Sequence, residues 1–228
     1  MRGSLPAAQS LTAGYADTSG FLALKGLFTA HVTGNFVTLG SSLVFGTTGA
    51  LTKTLALPMF CLVVLLARLL AFHLKATGWP VVRSLLQLQL LLLIVGAILA
   101  VWLGPFENPD SWPALLVGMT LVAAMATQNA THRAYLHHTP PSTIMTGSST
   151  QIMIDLADML RGLPAEAAAA TRSRLRRMTL SVAVFAAGCG LAALFYARLG
   201  QWCFCALPLL GVATLMMRRD IADADRRC

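Results

Sequence analysis

Charge is what this chain has least of. Only 11% of its 228 residues are Asp, Glu, Lys or Arg, 56% are hydrophobic, and the mean hydropathy is +0.68. Soluble domains carry about 25% charged residues, and so small a polar inventory cannot cover a water-facing surface. An ordinary soluble enzyme and a disordered tail are thereby excluded. The 17 Lys and Arg exceed the 9 Asp and Glu, giving a formal net charge of +8. Such an excess can mark nucleic-acid binding. Here the basic residues sit mostly between apolar runs and at the C-terminus, where they report membrane orientation. Nucleic acid is therefore not expected as a partner, and the lipid bilayer is.

Motifs for chemistry are also missing. The five cysteines, Cys61, Cys189, Cys203, Cys205 and Cys228, form no Cys-x-x-Cys pair. The first four lie in apolar runs, where a free Cys behaves as a small hydrophobe. There is no phosphate-binding glycine loop, no Ser/His/Asp order and no His-Glu-x-x-His, so no enzyme and no cofactor are expected. His31, His132, His137 and His138 invite a metal reading, but His-x4-His-His is not a recognised ligand spacing and has no acidic partner nearby. No metal is expected. Residues 1–13 hold one Arg and no apolar core of signal-peptide length, so insertion is expected to use the first span itself.

What the sequence has is long apolar runs. A membrane helix needs about 20 mostly apolar residues. Residues 55–74, 85–103, 113–125 continuing to 130, and 178–197 meet that requirement, and 202–217 is shorter, interrupted only by Pro208. Residues 11–28 carry Asp17, Thr18, Ser19 and Lys25, yet Phe21, Leu22, Leu24, Leu27 and Phe28 supply an apolar face. The expected fold is all-α, one integral membrane domain over residues 1–228 with six spans. Residues 33–45 and 142–160 are too short or too polar for plain spans and read as half-helices, since irregular backbone at membrane depth needs protein or water around it.

Arg2, Lys75, Arg83, Arg161, Arg172, Arg174, Arg176, Arg177, Arg218, Arg219, Arg226 and Arg227 fall on one side of this layout, twelve of the 17 basic residues. Lys53 and Arg198 fall on the other, with Glu107 and Asp110. The bias predicts both termini in the cytoplasm, with residues 218–228 as a basic tail. The run 165–170, ahead of four arginines, reads as a short amphipathic helix on anionic headgroups.

The chain also repeats itself. Ala30-His31-Val32-Thr33-Gly34-Asn35 in the first half is matched by Thr143-Ile144-Met145-Thr146-Gly147-Ser148 in the second. Each Thr-Gly follows a span with a polar cluster, Tyr15-Ala16-Asp17-Thr18 in one and Thr127-Gln128-Asn129-Ala130 in the other. Two apolar helices follow each. Repeat 1 covers residues 10–105 and repeat 2 residues 112–217. Three spans per unit is odd, so the second unit enters from the opposite face, as in many secondary transporters.

Gly14-Tyr15-Ala16-Asp17, Phe28, Ala30-His31-Val32-Thr33-Gly34-Asn35, Met145-Thr146-Gly147 and Gln151 together resemble the YoaK-like family of bacterial membrane proteins. The resemblance covers residues 10–217, with departures at Thr18 and Ser148. It implies six helices in an inner membrane. It implies no activity, because the family is one of unknown function.

Asp17 is the first candidate for chemistry. A carboxylate near mid-membrane costs roughly 2.5–3.5 kcal/mol on insertion scales and needs a cation, a proton or a wet cavity; a fixed ion pair with Arg68 or Lys25 is the structural alternative. His31, Thr33, Gly34, Asn35, Thr146, Gly147 and Ser148 are candidates for solute binding, because a half-helix starting there would aim free N–H groups at the midplane, a seat for an anion. Gln128 and Asn129 take the place in the fourth span that Asp17 takes in the first, as neutral binders or interhelical hydrogen bonders. Arg68 is expected to snorkel or to pair with Asp17 or Asp155. Gln151 and Asp155 share a helical face, either in a cytoplasmic vestibule or at a solvated helix end. The function these residues suggest is a small secondary transporter, proton-coupled and open to anionic solutes. The alternative is a membrane sensor or an assembly scaffold. Self-association as a homo-oligomer is left open.

Overall fold

The computed structural model describes residues 4–137, 139–143 and 145–226, leaving aside the side chains of Ser4, Arg218 and Arg219. His138, Arg2, Arg227 and Cys228 lie outside the described residues. The described chain is helical: α1 (Ser4–Ala23), α2 (Gly34–Phe45), α3 (Ala50–Ala76), α4 (Val81–Leu103), α5 (Trp112–Tyr135), α6 (Met145–Arg161), α7 (Ala165–Leu199), a 3₁₀ segment (Gly200–Cys205), α8 (Ala206–Leu215) and α9 (Arg218–Asp225).

Four helical stretches are long and apolar enough to cross a membrane: Ala50–Ala76, Val81–Leu103, Trp112–Tyr135 and the continuous Ala165–Leu215 that joins α7 to α8. The protein is a membrane-embedded helical protein. Leu62, Leu65, Leu66, Leu69, Ile98 and Leu194 stand exposed on these helices, which suits lipid and would be ruinous in water.

Helix α1 is not among those four, because Gln9, Ser10, Thr12, Asp17 and Ser19 dilute its hydropathy. All five side chains are buried. It is the central helix, packed along α7 and touched also by α5 and α8, so its polar groups meet protein. The expected first span, residues 11–28, therefore starts earlier and stops at Ala23. The chain leaves the helix through Lys25 (φ 49°) and Gly26 (φ 99°), left-handed positions that end an α-helix. The last expected span, 202–217, is a 3₁₀ turn followed by a ten-residue helix. Residues 165–170 form the first turns of α7 and are not a separate surface helix.

Three helix N-termini are capped by carboxylates from distant parts of the chain. Asp110 accepts from the Gly49 and Thr52 N–H groups at the start of α3 at 2.8 and 3.0 Å, and from the Thr52 hydroxyl. Asp220 accepts from Leu5 N–H of α1 at 3.2 Å, and Asp225 from Val82 N–H of α4 at 2.6 Å. The C-terminal tail is thus a docked helix: Ile221 and Ala224 of α9 pack with Leu5, Val82, Leu86 and Leu136.

Asp110 gives a pH test. Burial pushes its carboxyl up, but the donors of Thr52 and Gly49 outweigh it and hold it below its ordinary value of 3.8. A depressed folded-state value means that its stabilising contribution is complete above the unfolded value and disappears as pH falls through the folded one. Denaturation in detergent should accordingly show a loss of stability beginning near pH 4 and growing below it. The Asp110→Asn variant should have a flatter profile over the same window, and identical slopes would count against the cap.

Candidate re-entrant site

Asp17 sits six residues before the last residue of α1 and Asn129 six before the last residue of α5. At 1.5 Å per residue each lies about 9 Å below its helix end. After α1 the chain first reaches the α4–α5 loop, where Lys25 Nζ donates to the Glu107 carbonyl. It then returns to the depth of Asp17, because Thr29 and Ala30 N–H donate to Asp17 Oδ1 at 2.7 and 2.8 Å, and His31 N–H does so at 3.4 Å. The return after α5 is built likewise. Thr143 Oγ1 donates to Asn129 Oδ1 at 2.7 Å, and Ser142 Oγ accepts from Gln128 Nε2 at 2.9 Å.

Three successive backbone N–H groups on one oxygen form a concave anion seat. The anion in it is the protein's own Asp17, whose 4% exposure leaves the pair with His31 as its other polar contact. His31 Nδ1 lies 2.6 Å from Asp17 Oδ2, with the His31 side chain 34% exposed. The His31 ring also faces the Thr143 backbone and meets the Phe185 ring edge-on at 5.4 Å. Asp17, His31, Thr143 and Asn129 thus follow one another as neighbouring polar groups between the two returning loops.

Several sequence expectations change here. Asp17 pairs with neither Arg68 nor Lys25. Arg68 Nη1 instead donates to Tyr135 Oη at 2.8 Å, and its guanidinium lies 4.3 Å over the Phe72 ring. Asp155 pairs with Arg174, not Arg68, through Nε and Nη2 at 2.8 and 2.6 Å. It is fully buried, so it is no solvated helix end. Gln151 Nε2 does reach Asp155 Oδ1, at 2.8 Å.

The anion seat expected at the start of α2 is not free. Gly34, Asn35 and Phe36 N–H are spent on the His31, Val32 and Thr33 carbonyls in 3₁₀ turns. Thr33 is exposed, in the N-cap position with no side-chain cap. Asn35 closes the loop, its Oδ1 accepting from Phe28 N–H and its Nδ2 donating to Phe28 O, both at 2.8 Å. In the second half Thr146 and Gly147 are exposed and Ser148 is buried. His132 Nε2 faces Thr139 Oγ1 and the Pro140 carbonyl. Gln128 lies in a network: Gln89 donates to its Oε1 at 2.7 Å, and its Nε2 reaches the Gln9 carbonyl. Gln9, Gln89, Thr29 and Ser142 carry no sequence motif and went unnoticed for that reason.

Buried polar groups on broken helices, in a bundle whose outer face is apolar, define a polytopic membrane protein with a polar interior. The chain belongs to the family described as "Protein of unknown function (DUF1275)", whose model matches residues 5–217. No curated protein and no solved structure matches it.

Proposed function

We propose that the chain is a small secondary transporter, built from two inverted repeats of three crossings, that couples solute movement to a proton on the Asp17–His31 pair. The observation behind this reading is the row of neighbouring polar groups Asp17, His31, Thr143 and Asn129 between the two returning loops. Transporter sites lie where the discontinuous helices of two such repeats meet.

The packing supports two equivalent halves. Helix α1 packs on α7 as α5 packs on α3, α2 packs on α3 as α6 packs on α7, and α4 meets α5 as α8 meets α1. Helix α4 meets α8 directly, as elements beside a two-fold axis do. In this reading α1 and the 3₁₀–α8 unit are the two crossings that fail on hydropathy or length. The basic residues at the termini face and before α7 then put both termini in the cytoplasm.

The two breaks differ at the matching positions: the first has the carboxylate of Asp17 where the second has the neutral amide of Asn129. A carboxylate and an imidazole 2.6 Å apart hold an ion pair when the ring is protonated and a hydrogen bond from a neutral ring to a charged carboxylate when it is not. The exposed part of the ring gives the proton a way out. The solute binds beside this pair, on the face shared with Thr143 and Asn129. An anion would find no free N–H groups at the start of α2, so selection falls to side chains.

Two measurements test the proposal. A deletion strain screened across metabolite classes should show altered uptake or export of one class, restored by the intact gene. Asp17→Asn should be inserted and folded yet fail to restore it, and restoration by that variant would remove the proton from the mechanism. Reporter fusions after Met217 should read cytoplasmic and fusions at Asp110 external. A cytoplasmic Asp110 would undo the inverted arrangement.

A further inference from the structure

Nine residues separate Thr33 from Ser42, and nine separate Thr146 from Asp155. Both of the later residues are buried, and each accepts a hydrogen bond from a basic side chain on the next helix. Lys53 Nζ of α3 donates to Ser42 Oγ of α2 at 2.7 Å. Arg174 of α7 donates twice to Asp155 of α6, at 2.8 and 2.6 Å. The register, the direction of donation and the helices involved correspond. The chemistry does not: the α6 contact is a bidentate ion pair braced by Gln151, whereas the α2 contact is a single bond from a buried lysine to a neutral hydroxyl.

We infer that Lys53–Ser42 and Arg174–Asp155 are two equivalent latches fixing the re-entrant helices α2 and α6 to their neighbours, unequal in strength, so that α2 is released before α6. The inference rests on the two-repeat reading above. Each helix directly follows one of the loops that carry this polar row: α2 starts three residues after His31, and α6 two after Thr143. Holding a helix therefore holds its loop, which makes these positioning residues. Both contacts have a cationic donor, but the α6 contact makes two bonds to a buried carboxylate that carries the opposite charge, whereas the α2 contact makes one bond to a neutral hydroxyl; bidentate pairing of opposite charges is the stronger arrangement. The α6 latch near the termini face is the firm one. The α2 latch, beside the α4–α5 loop, is the one that gives way.

Amide hydrogen exchange on the full chain in lipid nanodiscs, with no solute added, reads both latches. In the wild type, residues 34–45 should exchange faster than 145–161. Asp155→Asn should raise exchange across 145–161 about tenfold, the weight of one charge-assisted hydrogen bond, and leave 34–45 unchanged. The double variant Asp155→Leu with Arg174→Leu should do the same without leaving the guanidinium unpaired. Ser42→Asp gives Lys53 a carboxylate and should slow exchange across 34–45 about tenfold, with 145–161 unaffected.

An equal or reversed wild-type order would overturn the inference. So would exchange that rises through α1 and α5 together with α6, since the ion pair would then hold the whole fold. A Ser42→Asp protein without added protection at α2 would count equally against it. No step of this test needs transport, so a metabolite screen that finds nothing would defeat the transporter reading while the exchange pattern still judged the latches.

Discussion

Asp17→Ala should cost on the order of 3–5 kcal/mol of stability, the summed penalty of leaving several buried N–H donors without their acceptor. The reason lies in the loop it holds. Its Oδ1 is the acceptor for Thr29 and Ala30 N–H and for the longer His31 N–H contact, and its Oδ2 holds the His31 ring. Without the carboxylate these donors face a buried space with nothing to accept them, and each unsatisfied group carries a penalty of about 1–3 kcal/mol. Asp17→Asn keeps an acceptor of the same shape at Oδ1 and should lose much less, about 1–2 kcal/mol. His31→Ala leaves the three N–H contacts in place and should fall between the two. Unfolding of the purified variants in detergent measures all three. An alanine variant within 1 kcal/mol of wild type would mean that the N–H groups of residues 29–31 find another acceptor. The seat would then not depend on Asp17.

The second large effect is expected where α1 crosses α7. A Cβ on Gly14 would lie 2.2 Å from the Phe185 carbonyl oxygen, and one on Gly188 would lie 2.4 Å from the Leu11 carbonyl oxygen. Those obstacles are backbone atoms, which cannot rotate aside as a side chain does. Small residues allow such close approach between membrane helices, and close packing is a main source of their association. Gly14→Ala and Gly188→Ala should each destabilise by the upper part of the roughly 1–3 kcal/mol range for overpacking, despite the better helix propensity of alanine. Gly190 is the control. It lies in the same helix with nothing within 4 Å of its Cβ position, so Gly190→Ala should be neutral or stabilising by up to about 1 kcal/mol. Thermal unfolding of the three variants in one detergent decides the matter. Equal behaviour at Gly188 and Gly190 would contradict the packing described.

Much of the architecture was legible because hydropathy is local. A run such as residues 55–74 or 85–103 must reach lipid whatever surrounds it, and α3 and α4 contain those runs. The Thr-Gly pairs were legible as helix starts, α2 beginning at Gly34 and α6 at Met145, because a change of pattern beside glycine is also a local signal. Helix α1 was harder. Its polar residues spoil a hydropathy count, and only its position inside the bundle explains why they are tolerated.

The choice of partners could not be read in the same way. Arg68 and Asp155 are the sort of charges that a sequence invites one to join, and the fold sends one to Tyr135 and the other to Arg174. Asp17 was legible as an expensive buried carboxylate, but its answer came from backbone N–H groups that every non-proline residue possesses. Ser42 could have been found from its register with Asp155, nine residues after the Thr-Gly threonine, but its meaning depended on a lysine arriving from another helix. The C-terminal tail has the composition of a free basic segment, yet Asp220 and Asp225 cap α1 and α4. The sequence by itself determined that this protein lives in lipid and where its apolar runs lie, because those properties reside in neighbouring residues. The tertiary structure alone decided which polar groups meet, because hydrogen bonds and ion pairs form between residues up to 215 positions apart, and geometry, not spacing, selects them.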